Sequence, residues 1–169
     1  MQVQFAEGDT LVHPRHGVGR VRRAFTRGKG SSATAYLELF FEPKALTITL
    51  PAGNLDEVGI RRLSTSAEAD AIFAILAAPS DVPTTWSDRN AETVSRVRSS
   101  ELAQASMVVR DLTRHAQRLS KPMSTAENAT LESCLQTLSA ELSLVLDLPE
   151  DETRDLILRT VSTETAEEA

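Results

Sequence analysis

The sequence predicts an α+β chain in two modules. The first is a small β-barrel or curved antiparallel sheet over residues 1–62, and the second is a bundle of about five helices over residues 63–161. Three observations carry this. Short extended runs alternate with turn residues through the first sixty positions. Beyond residue 63, apolar residues recur at helical spacing behind capping signals. The charge also changes character along the chain: residues 1–62 carry nine basic and six acidic side chains, 63–85 none and three, 86–121 seven and four, and 122–169 two and eleven.

The β elements follow in order. Gly8-Asp9 marks a turn, and Thr10-Leu11-Val12-His13 is a short strand stopped by Pro14. After the His16-Gly17 turn, Val18 to Phe25 reads as a strand with Val18, Val21 and Phe25 apolar and arginines between them; Gly19 inside it suggests a bulge. Arg27 to Ser32 is a polar hairpin loop, and Tyr36 to Phe41 is a strong strand. Leu46-Thr47-Ile48-Thr49-Leu50 alternates strictly and ends at Pro51. Val58-Gly59-Ile60 is expected to add a last short strand.

The helices carry clearer start signals. Thr65-Ser66-Ala67-Glu68 is a capping box ahead of Ile72, Phe73, Ile75 and Leu76, and Pro79 closes that helix. Residues 79–86 form a linker with two prolines. Ser87 is expected to cap a second helix running to about Arg98, which puts Trp86 just before the cap. The fourth helical position is then Ala91, too small to staple an indole. Ser99 or Ser100 caps a third helix with Leu102, Ala105, Val109, Leu112, Ala116 and Leu119 on one stripe. Ser124-Thr125-Ala126-Glu127 is a second capping box, followed by Leu131, Leu135, Leu138, Leu142 and Val145. Pro149 with Glu150, Asp151 and Glu152 opens a fifth helix bearing Leu156, Ile157 and Val161. Residues 162–169 are expected to form a frayed acidic tail.

Composition excludes several classes. At 169 residues and 41% hydrophobic, the chain can bury a core. No apolar run approaches the ~20 residues of a membrane span, and MQVQFAEGD lacks the layout of a signal peptide. One cysteine, Cys134, leaves no internal disulfide or multi-cysteine metal site and points to a reduced, cytoplasmic setting. The net charge of −6 argues against autonomous DNA binding, because such affinity rests on Lys and Arg at phosphates. The distribution qualifies this: +3 lies on residues 86–121, around the single Trp, and −9 lies beyond residue 122.

No catalytic constellation emerges, so no enzyme and no cofactor are expected. His13 and His16 share a turn without further metal ligands nearby. Gly28-Lys29-Gly30-Ser31-Ser32 has Arg23 where a phosphate loop needs its first glycine, and a strand follows where that loop needs a helix.

Several segments match a known pattern in order. Phe5 to Gly17 resembles the F-x-x-G-D-x-V-V-Y/H-P-x-H-G opening of the CarD/CdnL-type bacterial transcription regulators. Leu46 to Pro51 resembles their last core strand, and Val58-Gly59-Ile60-Arg61 resembles the V-G-[VIL]-R that leaves the β-domain. Pro83-Thr84-Thr85-Trp86-Ser87-Asp88-Arg89 resembles P-x-x-W-S-x-R. Val108-Val109-Arg110-Asp111-Leu112 resembles V-V-R-D-L, and Ser124 to Glu127 resembles the cap that follows it. The resemblance runs from residue 5 to about 146.

The resemblance implies a Tudor-like β-domain that docks on the RNA polymerase β subunit. It also implies a helical domain that meets promoter DNA at the upstream edge of the bubble, with the tryptophan as a minor-groove wedge that stabilises the open complex. The DNA-facing residues it leads one to expect are Trp86, Arg89, Arg96 and Arg114; the polymerase-facing ones are Arg27, Ile48, Thr49, Leu50 and Pro51. Departures temper it. Asp88 and Thr49 stand where the family often has basic residues, so DNA contact is expected to be weak alone and dependent on polymerase. A paralogue that binds polymerase with little or no DNA contact is the alternative, as is a non-transcriptional protein-interaction module. A monomer is expected, or a domain-swapped dimer formed through a sheet edge.

Overall fold

The computed structural model describes residues 5–162 apart from 81, 84 and 100. The Ser100 cap and residues 163–169 of the expected tail lie outside the described residues. The chain divides into two compact units between Leu63 and Ser64.

The first unit is an antiparallel five-stranded sheet in the order β4-β3-β2-β1-β5, open rather than closed into a barrel. Its strands are β1 (Thr10–His13), β2 (Gly17–Arg27), β3 (Thr34–Phe41), β4 (Leu46–Pro51) and β5 (Arg61–Arg62). The expected strand at Val58 to Ile60 is instead a single helical turn, α1 (Leu55–Val58). Gly59 ends it at φ 78°, a conformation glycine adopts without steric cost, and β5 begins only at Arg61.

The bulge in β2 falls between Val21 and Arg23, not at Gly19. Gly19 serves a different purpose: a Cβ there would stand 2.5 Å from Phe41 Cε1, so only glycine lets the Phe41 ring lie against β2. Register puts Leu46, Ile48 and Leu50 of β4 opposite Phe41, Leu39 and Leu37 of β3. All six pack in one core with Phe5, Leu11, Val21, Leu55 and Ile60.

The second unit holds α2 (Ser66–Ala77), α3 (Trp86–Arg98), α4 (Leu102–Arg118), α5 (Thr125–Leu146) and α6 (Glu150–Ser162). Both expected capping boxes form. Thr65 Oγ1 accepts from the Glu68 N–H while Glu68 accepts from the Thr65 N–H, and Ser124 and Glu127 repeat the arrangement. The core is built from Ile72 and Leu76 of α2, Val108, Val109 and Leu112 of α4, Leu135, Leu138 and Leu142 of α5, and Ile157 and Val161 of α6. Helix α3 contributes none of these side chains.

Leu119, expected on the α4 stripe, lies past the helix end in extended backbone and is exposed. Buried Glu141 accepts from both the N–H (3.0 Å) and the hydroxyl (2.6 Å) of Ser64, which fixes the chain as it enters this unit. Cys134 is buried, and burial raises its thiol pKa to about 11, so it is an inert core residue.

Candidate functional site

Two surfaces carry the residues singled out in the sequence, one on each unit.

On the helical unit the start of α3 is the focus. Thr85, not Ser87, is the N-cap. Its backbone is extended and its hydroxyl accepts the Asp88 N–H at 3.2 Å, so Ser87 is already within the first turn. Trp86 therefore does not precede the cap; it is the first helical residue, and it is 56% exposed. Val94 and Val97 are also exposed and lie on the same side of the helix as Trp86, eight and eleven residues on. Spacing from the single Trp could have found them; they read as core residues only if α3 is assumed to pack like its neighbours.

The arginines expected beside Trp86 behave differently. Arg89 is buried. Its Nε donates to Glu127 Oε1 at 3.0 Å, and a terminal nitrogen donates to the Pro83 carbonyl at 3.1 Å. Arg114 is only 3% exposed and donates to the Ala78 (2.7 Å) and Ala77 (3.2 Å) carbonyls at the end of α2. Both guanidiniums, expected on the DNA-facing side, are committed to protein acceptors inside the unit.

Arg96 is largely covered, held by Glu92 one turn back and by Asp111 Oδ2 at 2.5 Å. Asp111 additionally accepts from Arg110 Nε (2.7 Å) and the Ser80 hydroxyl (2.5 Å). Burial pushes the Asp111 pKa up, but the hydrogen bonds from Arg110, Ser80 and Arg96 outweigh it and hold the carboxyl below its ordinary value. Glu127 is likewise held low, the bonds from Ser124 and Arg89 overcoming burial. Arg98, at the far end of α3, is exposed.

On the β unit, β4 is an edge strand hydrogen-bonded to β3 alone in the sheet order. Ile48 and Leu50 turn toward the core, while Thr49 sits on the opposite face across from Glu38, and Pro51 ends the strand across from Tyr36. Arg27 ends β2, exposed, with its guanidinium 5.2 Å from the Phe25 ring centre and 5.4 Å from that of Tyr36. Phe25 and Tyr36 stack across the strands at 5.8 Å. Arg23 lies over Phe25 and Arg22 over Phe40, so the solvent face of β2 and β3 is an arginine–aromatic surface, and Arg27 is the one member of it that the family resemblance points to. Strand pairing across the hairpin assembles it, which linear sequence does not display.

His13 and His16 serve the turn between β1 and β2. Arg15 N–H donates to His13 Nδ1 at 3.0 Å, and both rings pack against Phe41. Burial, together with Arg15 and Lys44 nearby, holds both imidazoles below their ordinary pKa.

Comparison with known proteins agrees with these two surfaces lying on two recognised domains. The model of the CarD-like/TRCF RID domain matches residues 5–64, and that of the CarD C-terminal domain matches residues 71–158. Among solved structures, the solution NMR structure of the 72-residue N-terminal domain of Myxococcus xanthus CarD is similar over 37% of this chain and 83% of that one, at 24% identity and a TM-score of 0.30. Since the C-terminal-domain match alone spans more than half of the 169 residues, the chain belongs to the CarD family of RNA-polymerase-interacting transcription factors.

Proposed function

We propose that the β unit docks on the RNA polymerase β subunit through the edge of β4 and Arg27. The helical unit then presents Trp86 to the upstream edge of the promoter bubble, which lengthens the life of the open complex. Trp86 carries this reading. It is 56% exposed on the first position of a helix, with exposed Val94 and Val97 further along, so its ring is free to meet a partner. An apolar wedge costs least where base pairs are already partly unstacked, as at a fork.

Docking through β4 draws on main-chain hydrogen bonds, so a threonine at position 49 is compatible with it. Arg27, braced over two rings, offers a fixed cation to an acidic partner surface. The family's members are regulators rather than catalysts.

The deciding measurement is open-complex lifetime on a promoter whose complex decays measurably. Wild type is expected to extend it, and Trp86→Ala to remove most of the extension while still co-purifying with polymerase. Equal lifetimes for the two proteins would instead favour the second reading, a family member that binds polymerase with little DNA contact. That reading draws support from the inward commitment of Arg89 and Arg114.

A further inference from the structure

Asp88 looks like a liability on a DNA-facing helix, since a carboxylate repels phosphate. Its contacts tell against that role. Thr85 Oγ1 donates to Asp88 Oδ2 at 2.7 Å, and the Asp88 N–H donates back to the same hydroxyl at 3.2 Å. The two side chains thus close a ring that spans the backbone of Trp86 and Ser87, which lie between them in sequence. One residue further on, Arg89 reaches back to the Pro83 carbonyl at 3.1 Å and across to Glu127 at 3.0 Å. Glu127 is itself fixed as the third residue of the α5 capping box.

The backbone ahead of Trp86 is therefore held at residues 83 and 85 by side chains from residues 89 and 88. This matters because α3 has little else to hold its start. It is 13 residues long, supplies nothing to the apolar core, and buries only Arg89. Helices of that length are marginal without packing, and they fray from uncapped ends.

We infer that Asp88, with Thr85 and the Arg89–Glu127 pair, is a positioning residue that fixes the direction in which Trp86 is presented. This rests on the reading that Trp86 is the DNA-contacting residue, and it reverses the sign expected of Asp88. If Asp88 acts on DNA directly, its removal relieves repulsion and strengthens the effect. If it positions Trp86, its removal weakens it.

The experiment has two arms on the full chain. Trp86 is the sole tryptophan, so time-resolved fluorescence anisotropy of the free protein reads its segmental motion with no polymerase present. Asp88→Ala and Thr85→Ala are each expected to increase the fast depolarisation. Asp88→Asn, which keeps an acceptor for the Thr85 hydroxyl, should fall between wild type and Asp88→Ala. Glu127→Gln, which preserves the α5 cap but weakens the tie to Arg89, should do the same without unfolding the unit.

In the second arm, open-complex lifetime is expected to fall about fivefold with Thr85→Ala, the population change that corresponds to losing the N-cap, and to a smaller extent with Asp88→Ala, with partial retention in Asp88→Asn. Unchanged anisotropy in Asp88→Ala and Thr85→Ala, or a lifetime that lengthens in Asp88→Ala, overturns the inference. Should Trp86→Ala leave the lifetime at the wild-type value, it is the reading of Trp86 as the DNA-contacting residue that fails, and the anisotropy arm alone then decides the positioning role.

Discussion

At the scale of single residues, the arginines show how little a charge in a sequence says about where it points. Arg114 is an internal helix-end cap. The last carbonyls of α2 have no partners within their own helix, and the guanidinium of Arg114 supplies donors to Ala77 and Ala78. A lysine has one compact donor centre and cannot reproduce the planar fork. Arg114→Ala leaves half-buried carbonyls without that donor and removes a packed side chain. It is expected to cost the helical unit about 2–4 kcal/mol in urea unfolding, with Arg114→Lys recovering only part. Unchanged unfolding of Arg114→Ala would contradict this capping role.

At the scale of elements, α3 differs from every other helix of its unit. The others meet through Leu, Ile and Val, whereas α3 is docked by Arg89 to Glu127 and by Arg96 to Asp111. Both carboxylates have folded pKa values below their ordinary 3.8 and 4.5. Their contribution is therefore fully present above those ordinary values and is lost as pH falls through the lower, folded ones. Hydrogen-exchange protection in α3 is expected to be lower than in α4 at neutral pH, and the gap should widen as pH falls below about 4.5. Equal protection of α3 and α4 across that range would mean that packing, not these pairs, holds α3. In the β unit the corresponding feature is the edge of β4. It is a six-residue strand whose core-facing residues are fixed by β3 and whose outer side remains available for main-chain pairing.

At the scale of the whole molecule, charge and architecture fit together. The chain is net −6, yet the segment around Trp86 carries +3. Much of that positive charge is spent internally, on Glu127, Glu92, Asp111 and helix carbonyls. Autonomous DNA affinity should therefore be slight. A mobility shift with promoter DNA and no polymerase is expected to show no tight or specific complex, and a tight one would contradict the internal pairing. Tethering on polymerase removes the need for intrinsic affinity, because it raises effective concentration at the fork.

Much of this was open to reading from the chain itself. The class of each module, both reciprocal capping boxes, the apolar stripe of α5 and that of α4 as far as Leu112, and the segments that carry the family resemblance are local patterns. Periodicity, caps and turn residues act over four to eight positions, so sequence alone determines them. What it left undecided depended on partners distant in the chain. The inward turn of Arg89 and Arg114 required Glu127 and the end of α2. The bulge at Arg22 and the need for glycine beneath Phe41 required the pairing of β2 with β3. The helix start at Thr85 rather than Ser87 turned on which hydroxyl reached Asp88. In each case a polar or crowded group took the nearest partner that burial made available, and only the tertiary structure brings such partners within reach.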